Sequence, residues 1–552
     1  MQDHSLSRRA MRAVLGVALA ALCAEQVAAQ EVTAIPPPVP VPAAATPDAK
    51  LPSLHIRCDG NPPHMSDAES FARFVGAVTL LALFAPRPEL PSPEKRVFGE
   101  AGVAICSQLI DDPAHREKNT LRRLPLLLAR SAHNIEAKHY DKALADVVQA
   151  RAEAAAEGLT SNPYFQRSMG ISLDRFEAAA RIRMGDAAGA RDAGLAAAVA
   201  APYSFVPVMT GQDFGWANRK DGGLAENYLA AADRMVITSA MIHANRLEDQ
   251  NQLAAAVALR EAVIVRAQAV VTDSKNSAPL ADAAITHALA GDWARAEARA
   301  GEARANLEAR DAEGKPENDR AGVVEKLDFL GILQLVREGR LDQARRMFGA
   351  RSEWSSISYG ARFLLVDKLR KDATKDQLTG ILATGSDEQW DVMRRRILAT
   401  QLQNDTNNRT LFSNILTYAK VDDYERLSKI VWNTDKSRMI GKEPIKNSRF
   451  YQVNTASAPI SSPFAQMDAL MLHAALLAKA RGFKGFTMIA PRAVGDWMWV
   501  AFGNPGDADS PAAMFIDADK AIAELRQIIP TPEEVTARQA EREKAALKKA
   551  SA

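Results

Sequence analysis

The chemistry open to this 552-residue chain is narrowed first by its three cysteines and nine histidines. Cys23 sits in an apolar N-terminal run that reads as an export signal, which leaves Cys58 and Cys106 to meet in an oxidising compartment. A disulfide between them is the expected chemistry. His55, Cys58 and His64 form a short cluster, but a stable metal site takes four ligands in a tighter pattern, so no metal and no cofactor is expected. His115, His133, His139, His243, His287 and His473 are scattered along helices without partner spacing and read as surface or satisfied core residues. The acid pairs Asp422-Asp423 and Glu533-Glu534 fall where helix N-termini are expected, where carboxylates complement the helix dipole. A glycine-rich phosphate cradle, a nucleotide fingerprint, a His-Glu-x-x-His pair and a nucleophile elbow are all missing from the strand-to-helix contexts that need them, so no catalytic residue is nominated.

One stretch departs from the alanine-rich background. Tyr203, Phe205, Phe214, Trp216 and Tyr228 lie in a segment that also holds Gly211, Gly215, Gly222 and Gly223 and is too long for a hairpin turn. Buried aromatic anchors dominate many recognition surfaces. The segment is therefore the expected ligand-binding surface, with Phe214 and Trp216 as apolar anchors and Arg219 or Lys220 as polar contacts. The plainer alternative is that the aromatics plug the protein interior. Trp497, Trp499 and Phe502 alternate on a strand and read as core.

The elements that carry these residues are mostly helical hairpins. From Ala278 to Leu307 the sequence reads as a helix, a Gly291-Asp292 turn and a second helix with Trp293, Ala296, Ala300, Ala303 and Leu307 on one stripe. The same corner recurs at Lys138-His139-Tyr140, Gly185-Asp186-Ala187 and Gly339-Arg340-Leu341, each followed by alanine three residues on. The turn needs glycine or a polar residue, the larger side chain fills the corner, and alanine lets the helices touch. Corner residues at 140, 187, 293 and 341 are separated by 47, 106 and 48, so one diverged hairpin is expected between 187 and 293. Asn227 to Ala269, interrupted near Asn245-Arg246-Leu247, is the candidate.

Gly291, Trp293 and Ala296 resemble the tetratricopeptide family, whose hairpins carry a small residue, an aromatic and an alanine around the turn. The likeness covers about Leu121 to Phe348. The spacing is longer than that family's roughly 34 residues, which implies longer helices or irregular connections. What the resemblance implies is a helical-hairpin solenoid whose concave face recognises a peptide or protein.

Arg8, Arg9 and Arg12, the apolar run Ala13 to Ala24 and the small residues Val27-Ala28-Ala29 have the layout of a signal peptide, residues 1–29, cleaved after Ala29. The run is too short to span a bilayer, and no later segment reaches that length without charges, so no integral membrane segment is expected after signal removal. Residues 30–53 form a Pro/Ala-rich linker, 54–444 the hairpin array, 445–530 a small α/β domain, and 531–552 a charged tail. The first helix pair is expected from Ser66 to Phe84 and from Pro93 to Ile110. Beyond Phe348 helices continue through Phe363 to Leu369, Gln389 to Leu402, Leu411 to Ala419 and Tyr424 to Trp432, as further hairpins or a capping bundle. After Ile445 come strands at Arg449 to Ile460, Phe483 to Ala490, Trp497 to Phe502 and Ala513 to Ile516, with helices at Phe464 to Arg481 and Asp519 to Ile529.

A formal charge of +2 and no basic run interleaved with aromatics point away from nucleic acid. The expectation is a mainly α, tetratricopeptide-like solenoid with a small C-terminal α/β domain, periplasmic or otherwise exported, that binds a protein or peptide of the cell envelope. The rival expectation is an enzyme or enzyme subunit acting on an envelope polymer, its site between Ile445 and Ile529.

Overall fold

The computed structural model describes residues 52–63, 89–211, 223–270, 276–405, 408–419, 421–434, 439–441, 443–445, 448–454, 463–489, 497–508 and 510–550. The expected signal peptide, nearly all of the linker and the whole of the helix expected from Ser66 to Phe84 lie outside these residues. The chain is mainly helical, with one four-stranded antiparallel sheet near its C-terminus. In order the helices are α1 (Leu54–Asp59), α2 (Gly99–Ile110), α3 (Thr120–Glu136), α4 (Tyr140–Ala156), α5 (Pro163–Gln166), α6 (Met169–Arg183), α7 (Ala187–Ala200) and α8 (Phe205–Thr210). Then follow α9 (Leu224–Met235), α10 (Ile237–Asp249), α11 (Leu253–Val270), α12 (Ala278–Leu289), α13 (Trp293–Ala312), α14 (Arg320–Arg337), α15 (Leu341–Gly349) and α16 (Tyr359–Arg370). The last are α17 (Ser386–Asp405), α18 (Asn408–Ser413), α19 (Val421–Trp432), α20 (Pro463–Ala480), α21 (Ala518–Leu525) and α22 (Pro532–Ala550). The strands are β1 (Tyr451–Asn454), β2 (Gly485–Ile489), β3 (Trp497–Gly503) and β4 (Ile516–Asp517).

Five hairpins, α3/α4, α6/α7, α10/α11, α12/α13 and α14/α15, turn by one construction. Lys138, Gly185, Asn251, Gly291 and Gly339 take positive φ, from 59° to 84°, immediately after the first helix. The next residue returns its N–H to a carbonyl five residues back, as in Asp292 to His287 and Gln252 to Leu247. That residue is also the N-cap of the second helix, and its carbonyl accepts the N–H of Ala143, Ala190, Ala256, Ala296 or Ala344. All five alanines are buried. The diverged hairpin is thus α10/α11, and it turns at Asn251, not at the Asn245 to Leu247 stretch, which is helical. Asparagine reaches the left-handed region at lower cost than most residues, which is how the corner survives without glycine.

Residues after α15 do not add hairpins to the end of the row. They return along the first helices, in reverse order. Ser356 N–H bonds Glu325 of α14 at 2.9 Å, and Ser358 Oγ bonds Glu248 of α10. Leu398 of α17 packs on Ala178 and Ile182 of α6 and Ala190 of α7. Phe412 of α18 reaches α3, its ring 5.1 Å from His133 and capped by the Arg96 guanidinium at 4.2 Å. The chain then crosses the start of α6, with Leu416 N–H on Ser172 Oγ at 2.8 Å and Ala419 N–H on Ser168 Oγ at 3.1 Å.

The sheet runs in the order β1-β3-β2-β4. Along β3, Met498, Val500 and Phe502 join the core against α20, while Trp499 and Ala501 pack with Phe450 on the other face. The strand expected up to Ile516 is instead a short 3-10 turn, Ala512–Met514, followed by β4. Phe205, Tyr228 and Tyr164 belong to the same hydrophobic core as Met467, Phe486 and Ile528. The change at residue 445 is therefore a change of secondary structure and not of core. The tail helix α22 docks through its first half and middle, Arg538 lying 3.6 Å and Arg542 Nη2 2.6 Å from Glu425 of α19.

Cys58 of α1 and Cys106 of α2 form a disulfide with Cα atoms 5.0 Å apart. It closes 48 residues and, in the chain-entropy model, constrains the unfolded chain by about 4 kcal/mol. Among the described residues no helix is long and apolar enough to cross a membrane.

The returning chain and the hairpins meet closely at Gly360, where an added Cβ would stand 2.0 Å from the Asn245 carbonyl oxygen, whereas one on Gly301 of α13 would meet nothing within 4 Å. Gly360→Ala should lower stability by about 1–3 kcal/mol through forced separation of α16 from α10. Gly301→Ala should raise it by roughly 0.5–1 kcal/mol through helix propensity. Urea denaturation of both variants checks the pair.

Candidate functional site

The structure divides the expected ligand-binding residues. Phe205 is 0% exposed and Tyr228 is 2% exposed, so neither offers surface to a ligand. Both are core side chains, placed there because α8 and α9 pack their aromatic faces against α20 and its neighbours. Tyr203 is half-buried, and the Arg234 guanidinium lies 4.7 Å over its ring. Phe214, Trp216, Arg219 and Lys220 lie outside the described residues. The expected concave-face recognition meets a different difficulty: the first helices of the hairpins are covered by residues 354–419 of the same chain.

The start of the 203–228 segment is where buried polar chemistry concentrates. Tyr203 N–H donates to both carboxylate oxygens of Glu524 on α21, at 3.1 and 3.2 Å. Ser204 Oγ donates to Asp468 Oδ1 on α20 at 2.5 Å, and Tyr424 Oη of α19 lies 3.4 Å from Asp468 Oδ2. Arg167, which follows α5, approaches Glu524 at 3.9 Å, and its Nε meets no acceptor among the described residues. Burial pushes the Asp468 carboxyl up to about 6 and the Glu524 carboxyl up to about 7, against the pull of Arg167. Five stretches of chain thus converge on two enclosed acids that hold protons close to neutral pH.

A second polar group borders it on α9 and α10. His243 is clamped between Asp233 Oδ2 at 2.5 Å and Glu226 Oε2 at 3.0 Å, and Arg246 Nε donates to Glu226 Oε1 at 2.6 Å. Burial alone would lower the imidazole, but the hydrogen bonds it donates to both acids outweigh this and raise the value to about 9. Glu226 is likewise penalised by burial yet falls to about 2 through His243 and Arg246. The imidazolium is the form these partners favour.

Comparison with known proteins finds no matching family model, curated protein or solved structure. The chemistry therefore rests on the residues themselves. Among the described residues no three His, Cys, Asp or Glu side chains are placed to hold a metal ion. His55 instead pairs with Glu117 at 3.0 Å, Cys58 is in the disulfide, and His64 is outside the described residues. His133 donates from Nε2 to the Cys58 carbonyl, and His473 from Nδ1 to the Val431 carbonyl. Asp422 and Asp423 open α19, and Glu533 and Glu534 open α22. What the junction can do is hold protons and anchor the 203–228 segment by its backbone and by Ser204.

Sequence reasoning passed over Asp468 and Glu524. A signal for the first was available: Asp468 and His473 are the polar interruptions in Met467 to Ala478, otherwise an all-apolar helical run. Glu524 carried none, since it follows the polar pattern of a surface helix.

His243 gives a direct pH test. An imidazole raised in the fold stabilises it fully below its ordinary value of 6.5 and loses that contribution as pH rises through about 9. Relative to His243→Gln, the native chain should therefore lose about 2–3 kcal/mol of stability across that interval. Parallel curves of melting temperature against pH for the two proteins would refute it.

Proposed function

We propose that the chain is an exported helical-hairpin interaction protein that binds a protein or peptide of the cell envelope through the segment between Tyr203 and Tyr228. The observation that carries the reading is the spacing of the hairpin corners. The positive-φ residues 138, 185, 251, 291 and 339 are separated by 47, 66, 40 and 48 positions, and the one long interval contains this segment. An insertion of roughly 20 residues into an otherwise regular row, rich in aromatics and glycine, is what a grafted recognition element looks like. Its two ends are fixed by buried Phe205 and Tyr228, which reduces the freedom that binding must remove. The first-helix face, the usual recognition surface of tetratricopeptide-like solenoids, is occupied in cis, so the partner surface is assigned to the insertion. The disulfide is consistent with export, and the sequence of residues 1–29 has the layout of an export signal.

The rival reading is an enzyme or enzyme subunit that acts on an envelope polymer through the 445–530 region. Asp468 and Glu524 favour it, because acids shifted toward neutral pH are common in active sites. Asp468, however, is 1% exposed and fully engaged by Ser204 and Tyr424, which suits an anchor better than an acid that meets substrate.

Affinity capture from envelope extract separates the readings. A stoichiometric protein partner retained by the native chain, and weakened at least about tenfold by Trp216→Ala with the melting temperature unchanged, is the expected outcome. Collapse of stability and capture together would make Trp216 a core residue and move the surface elsewhere.

A further inference from the structure

The two acids at the junction are held by very little positive charge. Glu524 faces Arg167 at 3.9 Å, Arg234 of α9 and the acid Asp468 of α20. Asp468 faces Arg167, the Ser204 hydroxyl and Tyr424. Arg234 spends a donor on the Pro202 carbonyl at 3.3 Å, its ring contact on Tyr203, and its next neighbour Asp233 is committed to His243. Tyr164, 5.1 Å from the Tyr424 ring, donates to the Ile528 carbonyl and lies beside Arg538 of α22. No carboxylate–guanidinium contact closer than 3.9 Å fixes either acid among the described residues. Both acids are spent instead on Tyr203 N–H and Ser204 Oγ, the first residues of the inserted segment.

We propose that this junction is a pH-dependent latch, in which α20 and α21 clamp Tyr203 and Ser204 while the acids carry a proton, and loosen their hold when both are ionised. Tyr203 N–H and Ser204 Oγ favour the ionised acids, as do Arg167 at 3.9 Å and Arg234, but the cost of enclosing two carboxylates that also repel each other is larger, and separation of α21 from the Tyr203 backbone relieves it. The direction follows from linkage. Burial raises both acids, so the opened state ionises first. The closed state is favoured in acid, and its advantage falls as pH climbs from the ordinary carboxylate range to about 7, then stays level. This window lies below that of His243, whose loss runs up to about 9. The latch stands on the junction alone; its effect on partner binding rests on the reading that the 203–228 segment carries the partner surface.

Hydrogen exchange of the full chain tests it. At about pH 7.5 the amides of 203–211, corrected for intrinsic exchange, should be at least about tenfold less protected than at about pH 5. Glu524→Gln keeps an oxygen for Tyr203 N–H and cannot ionise, so it should remove most of the pH dependence; Asp468→Asn should act the same way and serves if the first variant folds poorly. Equal protection at both pH values, or an unchanged dependence in both variants, overturns the latch. If protection varies as expected while partner capture does not, the latch holds and the assignment of the partner surface falls.

Discussion

Glu248 has no exposed surface, and four elements are tied together through its carboxylate. Arg260 of α11 reaches it at 2.9 Å, Thr286 Oγ1 of α12 at 2.6 Å, and Ser358 Oγ at the start of α16 completes the set on the α10 residue. A carboxyl group buried in that position is costly unless its oxygens find donors. Only one placement of the returning chain supplies Ser358, and that same placement brings Gly360 against the α10 backbone. The alanine corners cannot provide this selection, because they are nearly identical in all five hairpins and would accept one another as neighbours. Buried pairs between hairpins recur along the row, as in Lys326 of α14 with Asp282 of α12 at 2.9 Å. Alanine sets how closely helices approach, and the polar core sets which helices they are.

This split explains what could be read from the sequence. The corners were legible because a left-handed residue, an N-cap and an alanine are local demands met within six positions, as at Gly291, Asp292 and Ala296. The third corner reads four to six residues early in the sequence, near Asn245 to Leu247, because Asn251 stands where the others carry glycine or lysine, and α10 has no clean apolar stripe to show its length. Ser239, His243, Asn245, Arg246 and Glu248 are all buried on that helix, a pattern that polarity alone assigns to solvent. The return of α16 to α18 across the first helices was not legible at all. It depends on contacts such as Ser358 with Glu248, 110 residues apart, which no local periodicity encodes.

The site was legible in type and not in depth. Cys58 and Cys106 pair, as the cysteine count and the expectation of export implied, although Cys58 comes from the short α1. The aromatic content of 203–228 marked an unusual stretch, yet composition could not say that Phe205 and Tyr228 point inward to a core built largely from α19, α20 and the sheet. Residues that touch partners more than 200 positions away, such as Ser204 with Asp468, declare their role only once the chain is folded.

The shared core has a mechanical consequence for the junction. Because Phe205, Tyr228, Met467 and Phe486 occupy one apolar cluster, the sheet and the middle hairpins cannot separate without exposing large side chains from both. Each such side chain contributes about 1.5–3 kcal/mol when buried, so full separation is far costlier than anything two carboxylates can supply. Relief of charge at Asp468 and Glu524 must therefore be local. Phe205, Val206 and Val208 keep α8 in the core, so the stretch free to shift is the Tyr203–Ser204 backbone that leads into it, held by the two acids. Movement there leaves the hairpin row and the sheet joined, so the junction can loosen without loss of the shared core.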